Sequence, residues 1–170
     1  VLVTIQSAST WAESLCFQNG KCDEEKNGEA APREETKALP YADFTDQRAQ
    51  RTIGGAIVGA RVDPTHPIAY GYTIETPLVR KGSTLLKASE NSFTTPVRYT
   101  EKPLISGYIG EQRLTEMSGQ PAVIAERHGK GLLVRFANNP IFRGFWRGTE
   151  RLWVNSLFFG PLVRTTELPQ

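Results

Sequence analysis

"HGKGLLVRFANNPIFRGFW", residues 128–146, decides how this chain is read. Gly129-Lys130-Gly131 is a turn between two apolar runs, so "PAVIAERHGKGLLVRFA", residues 121–137, reads as a β-hairpin by spacing and turn chemistry. Its second strand, Leu132 to Ala137, stops abruptly at Asn138-Asn139-Pro140. In α/β proteins the carboxyl ends of strands are where ligands and catalytic groups collect. Asn138 and Asn139 therefore mark either a working site or a vacated one.

On the amino-terminal side, Val1 to Ile5 is a continuous aliphatic and β-branched run, the pattern of a strand covered on both faces. Gln6 to Thr10 turns the chain, with Ser9 or Thr10 able to cap a helix from Trp11 to about Phe17. From Lys21 to Lys37 there is no large apolar residue, and residues 21–40 are expected to be a flexible insertion. Asp43 to Gln50 suits a short helix and residues 53–62, "IGGAIVGARV", a strand. "DPTHPIAYGY" is dense in turn formers, and residues 73–100 alternate short β-rich runs with turns. Ile109 to Met117 is expected to be helical, ended by Gly119. Thr149 is placed to cap a helix carrying Leu152, Trp153, Val154, Leu157, Phe158 and Phe159. That helix is apolar nearly all round and is expected to be buried, with Gly160-Pro161 as its stop and residues 162–170 as a tail. The order of elements indicates one layered α/β domain over residues 1–170.

Composition narrows the function. With 170 residues, 39% hydrophobic, 22% charged and a net charge of +2, the chain has an ordinary globular make-up. No Lys/Arg stripe interleaved with aromatics points to nucleic acid. No apolar run approaches the roughly 20 residues that span a bilayer. "VLVTI" has no methionine, no basic leader and too short an apolar run for a signal peptide, which suggests a piece of a longer protein. Two cysteines, Cys16 and Cys22, and two histidines, His66 and His128, give no metal-ligand spacing. The cysteines can bridge the turn at Asn19-Gly20 or remain two thiols, and spacing alone does not decide.

"GGAIVGARVDPTHPIAYGY" followed by "HGKGLLVRFANNPIFRGFWRGTERLWVNSLFFGP" resembles the class I glutamine amidotransferase-like module at the carboxyl end of some bacterial zinc carboxypeptidases of the carboxypeptidase A-like family. The likeness runs best over residues 53–161. It implies a three-layer, flavodoxin-like α/β fold, here lacking its N-terminal strands. It also implies an exported, periplasmic or secreted parent whose catalytic zinc sits in a separate peptidase domain. This chain would then be a non-catalytic accessory module without a cofactor of its own. Its partner would be the peptidase domain of the same polypeptide, with a homo-oligomer as a further possibility.

In catalytic amidotransferases a cysteine flanked by glycines stands at the sharp turn after a strand, and a histidine follows a late strand. The matching turn here is Gln6-Ser7-Ala8-Ser9, and the late strand leads into Asn138-Asn139. An amide does not take up a proton near neutral pH and cannot be the general base. Gln6, Ser7, Ser9, Asn138 and Asn139 thus outline a degenerate cleft with no catalytic set. The alternatives are a small serine hydrolase using Ser7 or Ser9 with His66, and a sugar- or peptide-binding module. A serine elbow wants small flanking glycines, which this turn lacks. Arg143, Arg147 and Arg151 recur every four residues, either as an anion clamp or as partners of carboxylates. Trp146 and Trp153 suit sugar stacking or, more plainly, packing.

Overall fold

A computed structural model of the chain describes residues 1–14 and 40–164. Six strands form one sheet: β1 (Leu2–Ile5), β2 (Ile53–Val62), β3 (Glu75–Arg80), β4 (Val97–Ile109), β5 (Pro121–His128) and β6 (Gly131–Phe136). Their order across the sheet is β1-β6-β5-β4-β2-β3. Among the described residues four α-helices accompany them: α1 (Ser7–Ser14), α2 (Phe44–Arg51), α3 (Glu111–Met117) and α4 (Glu150–Phe158).

The three-layer, flavodoxin-like arrangement is corrected by this topology. Only β1 and β6 run parallel; β6–β5, β5–β4, β4–β2 and β2–β3 are all antiparallel, and the single mixed sheet curls strongly into a half-barrel. A parallel three-layer sheet needs a crossover, usually helical, between neighbouring strands. Here β5 reaches β6 through the two residues Gly129 and Lys130, with Gly129 at φ 57°. The curl also has a local cause. Between Val58↔Leu104 and Ala60↔Tyr99 the β4 strand carries Thr100 to Pro103 opposite Gly59 alone. Such bulges bend and twist a strand, and Pro103, without an N–H to give the ladder, belongs in one. Beyond the bulge Gly107, at φ 97°, meets the β2 backbone where a Cβ has no room. β4 then joins β5 by only two registered pairs, Val97↔Val123 and Arg98↔Pro121.

One core fills the curl. It holds Val58, Ala60 and Val62 of β2, Leu78 of β3, Val97 and Tyr99 of β4, Val123 and Ala125 of β5, and Val134 and Phe136 of β6. Ile68, Met117, Leu152 and Val163 pack on it from the connecting segments and helices. On the other face the loop after β3 brings Leu86 against Ile124 and Ala137. β5 and β6 are covered on both sides, as their near-continuous apolar runs require.

Several local expectations change. α1 begins at Ser7, directly after a one-residue turn, so neither Ser9 nor Thr10 is its cap; Thr10 Oγ1 donates to Ser7 O at 2.8 Å. The stretch up to Ile109 is strand, and the helix starts only at Glu111. Thr149 precedes α4 but its hydroxyl donates to Pro140 O at 2.6 Å and caps nothing. α4 is one-sided: Leu152 is 1% exposed, whereas Leu157 is 44% and Phe158 73% exposed. Cys16 and Cys22, whose pairing the spacing left open, α1 beyond Ser14, residues 21–39 of the expected insertion and residues 165–170 of the tail lie outside the described residues. Among the described residues no helix is long and apolar enough to cross a membrane.

Candidate functional site

The parallel pairing of β1 with β6, with Ile5 opposite Phe136, releases Gln6 and Ala137 from the sheet side by side. The turn Gln6 to Ser9 and the loop Asn138-Asn139 therefore leave one edge together. Gln6 stands at φ 54°, one of only two non-glycine residues with positive φ among those described. This is the strained apex of a strand-turn-helix elbow, and a β-carbon there costs about 1–3 kcal/mol unless its surroundings hold it. They do: Gln6 N–H donates to Phe136 O at 2.8 Å and Ser9 N–H to Gln6 O at 2.8 Å. The Gln6 side-chain amide lies against Gly82, in the loop after β3.

The hydroxyls are differently placed. Ser9 is fully buried, and its Oγ donates to the same Phe136 carbonyl at 2.9 Å. Ser7 is exposed at the first position of α1. Neither meets a histidine. His66 follows β2, which β6, β5 and β4 separate from β1 in the sheet. Its Nδ1 accepts the Ile68 N–H at 3.2 Å, fixing the 3-10 turn Pro67–Ala69. Burial lowers the His66 pKa below its usual 6.5, against a smaller upward pull from Asp63. His128 ends β5 opposite Gly131 at the hairpin turn.

Asn138 and Asn139 do separate work. Asn139 Oδ1 accepts the Ile141 N–H at 3.0 Å, a local turn bond. Asn138 is buried, and its Oδ1 accepts from Arg80 Nη1 at 2.9 Å and from the Tyr99 hydroxyl at 3.1 Å. Arg80, 0% exposed, also donates to Tyr99 Oη at 3.1 Å, to Ala137 O at 3.4 Å and to Thr84 O. Desolvation pushes the guanidinium below its usual range and the Tyr99 phenol above its own. Arginine nevertheless keeps its proton in proteins. Beside this network lies a cavity of about 10 Å³, lined among others by Phe136, Asn138, Asn139, Pro140 and Thr149.

The site thus joins Gln6, Ser9 and Asn138 through the end of β6, with Arg80 and Tyr99 behind Asn138. Arg80 and Tyr99 were not singled out from the sequence. The signal was alternation: in "ETPLVR" Arg80 shares a face with Thr76 and Leu78, and Tyr99 shares one with Val97. The other arginines are local. Arg147 faces Glu150 at 3.4 Å, Arg151 donates to Gly71 O at 2.7 Å, and Arg143 lies over the Phe142 ring at 5.2 Å. Trp146 and Trp153 are both half-buried. Among the described residues no group of three His, Cys, Asp or Glu is placed to hold a metal ion. Comparison with models of protein families, with curated proteins and with solved structures finds no match.

Proposed function

We propose that this chain is a non-catalytic accessory module of a zinc carboxypeptidase-like protein, packing against and positioning the peptidase domain of the same polypeptide. The reading keeps the likeness of the quoted residues and gives up the three-layer fold it had implied. The observation that supports it is the elbow. Its strained apex carries the amide of Gln6, the neighbouring Ser9 hydroxyl is spent on Phe136 O, and Asn138 is spent on Arg80 and Tyr99. No side chain of this set can form a nucleophile–base pair. The zinc, two histidines and a glutamate of the peptidase reaction belong, on this reading, to the peptidase domain, and the parent is exported to the periplasm.

The test is the coding sequence upstream of Val1, followed by expression of the whole protein with and without residues 1–170. A His-x-x-Glu pair with a distant His upstream, and peptidase turnover that survives removal of the module at reduced stability, support the reading. Labelling of the isolated chain by a fluorophosphonate probe, lost in Ser7→Ala or Ser9→Ala, overturns it in favour of a hydrolase.

A further inference from the structure

We propose that His66 is an acid-sensitive latch on α4: protonation of its imidazole undoes the turn on which the helix is seated and lets the helix leave the core. This inference does not rest on the accessory-module reading. The seat is the loop from Ile68 to Tyr72. Asn155 of α4, 4% exposed, donates from Nδ2 to Ile68 O and to Tyr70 O, both at 2.9 Å. Arg151 donates to Gly71 O at 2.7 Å, and the Leu152 N–H donates to the Tyr72 hydroxyl at 3.2 Å. Phe159, just past the helix, meets the Tyr70 ring edge-on at 5.6 Å. Ile68 links this seat to the histidine: its carbonyl takes the Asn155 bond, and its N–H donates to His66 Nδ1 at 3.2 Å.

Only a neutral imidazole can hold that bond. With Nδ1 accepting, the ring proton sits on Nε2, which is buried without a partner. A second proton turns Nδ1 into a donor facing the Ile68 N–H, on a residue only 8% exposed. Both nitrogens gain by reaching water, so the opened loop takes up the proton before the closed one. Desolvation holds the folded pKa below 6.5, and Asp63, just after β2, opposes it only in part. The charged residues of α4 that act on this loop, Glu150 and Arg151, act on the Tyr72 phenol. The 3-10 turns Pro67–Ala69 and Gly160–Leu162 carry no ionisable side chain. At the entry to β4 the Pro96 carbonyl accepts the Asp63 N–H, and Thr95 and Val97 beside it are uncharged. The same molecule does this job elsewhere without titrating. Before the 3-10 turn Ser92–Thr94, Asn91 Oδ1 accepts the Phe93 N–H at 3.0 Å, the counterpart of the His66 bond. A histidine at position 66 adds pH dependence to what an amide can do.

The experiment is native-state amide exchange of the chain at pH 7.5 and 5.5, with urea raised in steps below the unfolding transition. One proton linked to opening raises the opened population by up to about tenfold per pH unit, from about pH 6.5 down to the folded pKa. Protection factors of the Ile68 and α4 amides should fall accordingly at pH 5.5. Their exchange should depend only weakly on urea, because undocking exposes far less surface than unfolding. His66→Asn keeps an acceptor for the Ile68 N–H and should hold the α4 protection factors equal at the two pH values. Exchange of α4 amides with the urea dependence of the β5–β6 hairpin, wild-type protection that ignores pH, or an unchanged acid loss in His66→Asn would each overturn the proposal. If His66→Asn does not fold, the urea dependence of α4 exchange in the wild type at pH 5.5 decides.

Discussion

Arg80 and Asn138 stand 58 positions apart in sequence and 2.9 Å apart in space, joining the last residue of β3 to the first loop beyond β6. The Tyr99 hydroxyl donates to the same Asn138 oxygen, so one amide holds two buried partners from two strands. Asn138→Ala removes both acceptances and leaves the guanidinium with three neutral oxygens. Hydrogen bonds to charged groups are worth about 1.5–3 kcal/mol, and the variant should lose about that much stability in urea unfolding. A loss within error would show that the network carries no stability.

α4 separates inward from outward residues sharply. Leu152, at 1% exposed, fills the core, and Leu152→Ala should cost about 2–5 kcal/mol. Phe158→Ala, at a position 73% exposed, should change the stability of the isolated chain by no more than about 0.5 kcal/mol. Equal costs at the two positions would contradict the orientation of the helix.

Gln6 invites a stabilising change. Its φ of 54° suits glycine, so Gln6→Gly should raise stability by roughly 1 kcal/mol, the strain released less the entropy that glycine gives the unfolded chain. Gln6→Val, branched at Cβ, should do the reverse. Denaturant midpoints of the three proteins check the order.

His66 makes stability depend on pH. Burial holds its folded pKa below 6.5, and its Nδ1 can accept the Ile68 N–H only while unprotonated. The unfolded chain therefore binds the proton first. The stabilisation is complete above about pH 6.5 and is lost as pH falls from there through the folded pKa, at no more than about 1.4 kcal/mol per pH unit. His66→Asn can keep the turn bond and should flatten the difference in urea midpoint between pH 7.5 and 5.5. An unchanged slope would mean that other groups set it.

What the sequence disclosed follows from how local each cause is. The hairpin at Gly129-Lys130 and the strand Ile53–Val62 are written in adjacent residues, and both were legible. β4 was not, because Pro103 and Gly107 look like breaks when read alone. Only the facing strand shows them to be a bulge and a close approach, and the curl that follows is equally non-local. At the site, the meeting of Gln6 to Ser9 with Asn138-Asn139 follows from the pairing of β1 with β6. The role of Gln6 as the apex, in place of a serine, depends on a backbone angle that residue identity does not announce. Arg80 was hidden for a different reason. An arginine before "KG" reads as the solvated end of a strand, and only the return of the sheet towards β6 buries it.

The two-pair seam between β4 and β5 has a consequence for how the molecule comes apart. Backbone bonding is continuous within β1-β6-β5 and within β4-β2-β3, but thin between them, with Tyr99 N–H to Gln120 O as a further link. Across the seam the two halves are fastened by side chains: the shared core of Val58, Leu78 and Val97 against Val123, Val134 and Phe136, Arg80 of one half on Asn138 of the other, and Leu86 across Ile124 and Ala137. Amide exchange under native conditions should resolve two classes of slow protons, divided along that seam. Loosening the fastening at Asn138 should spread the two classes further apart, releasing one half of the sheet while the other still holds.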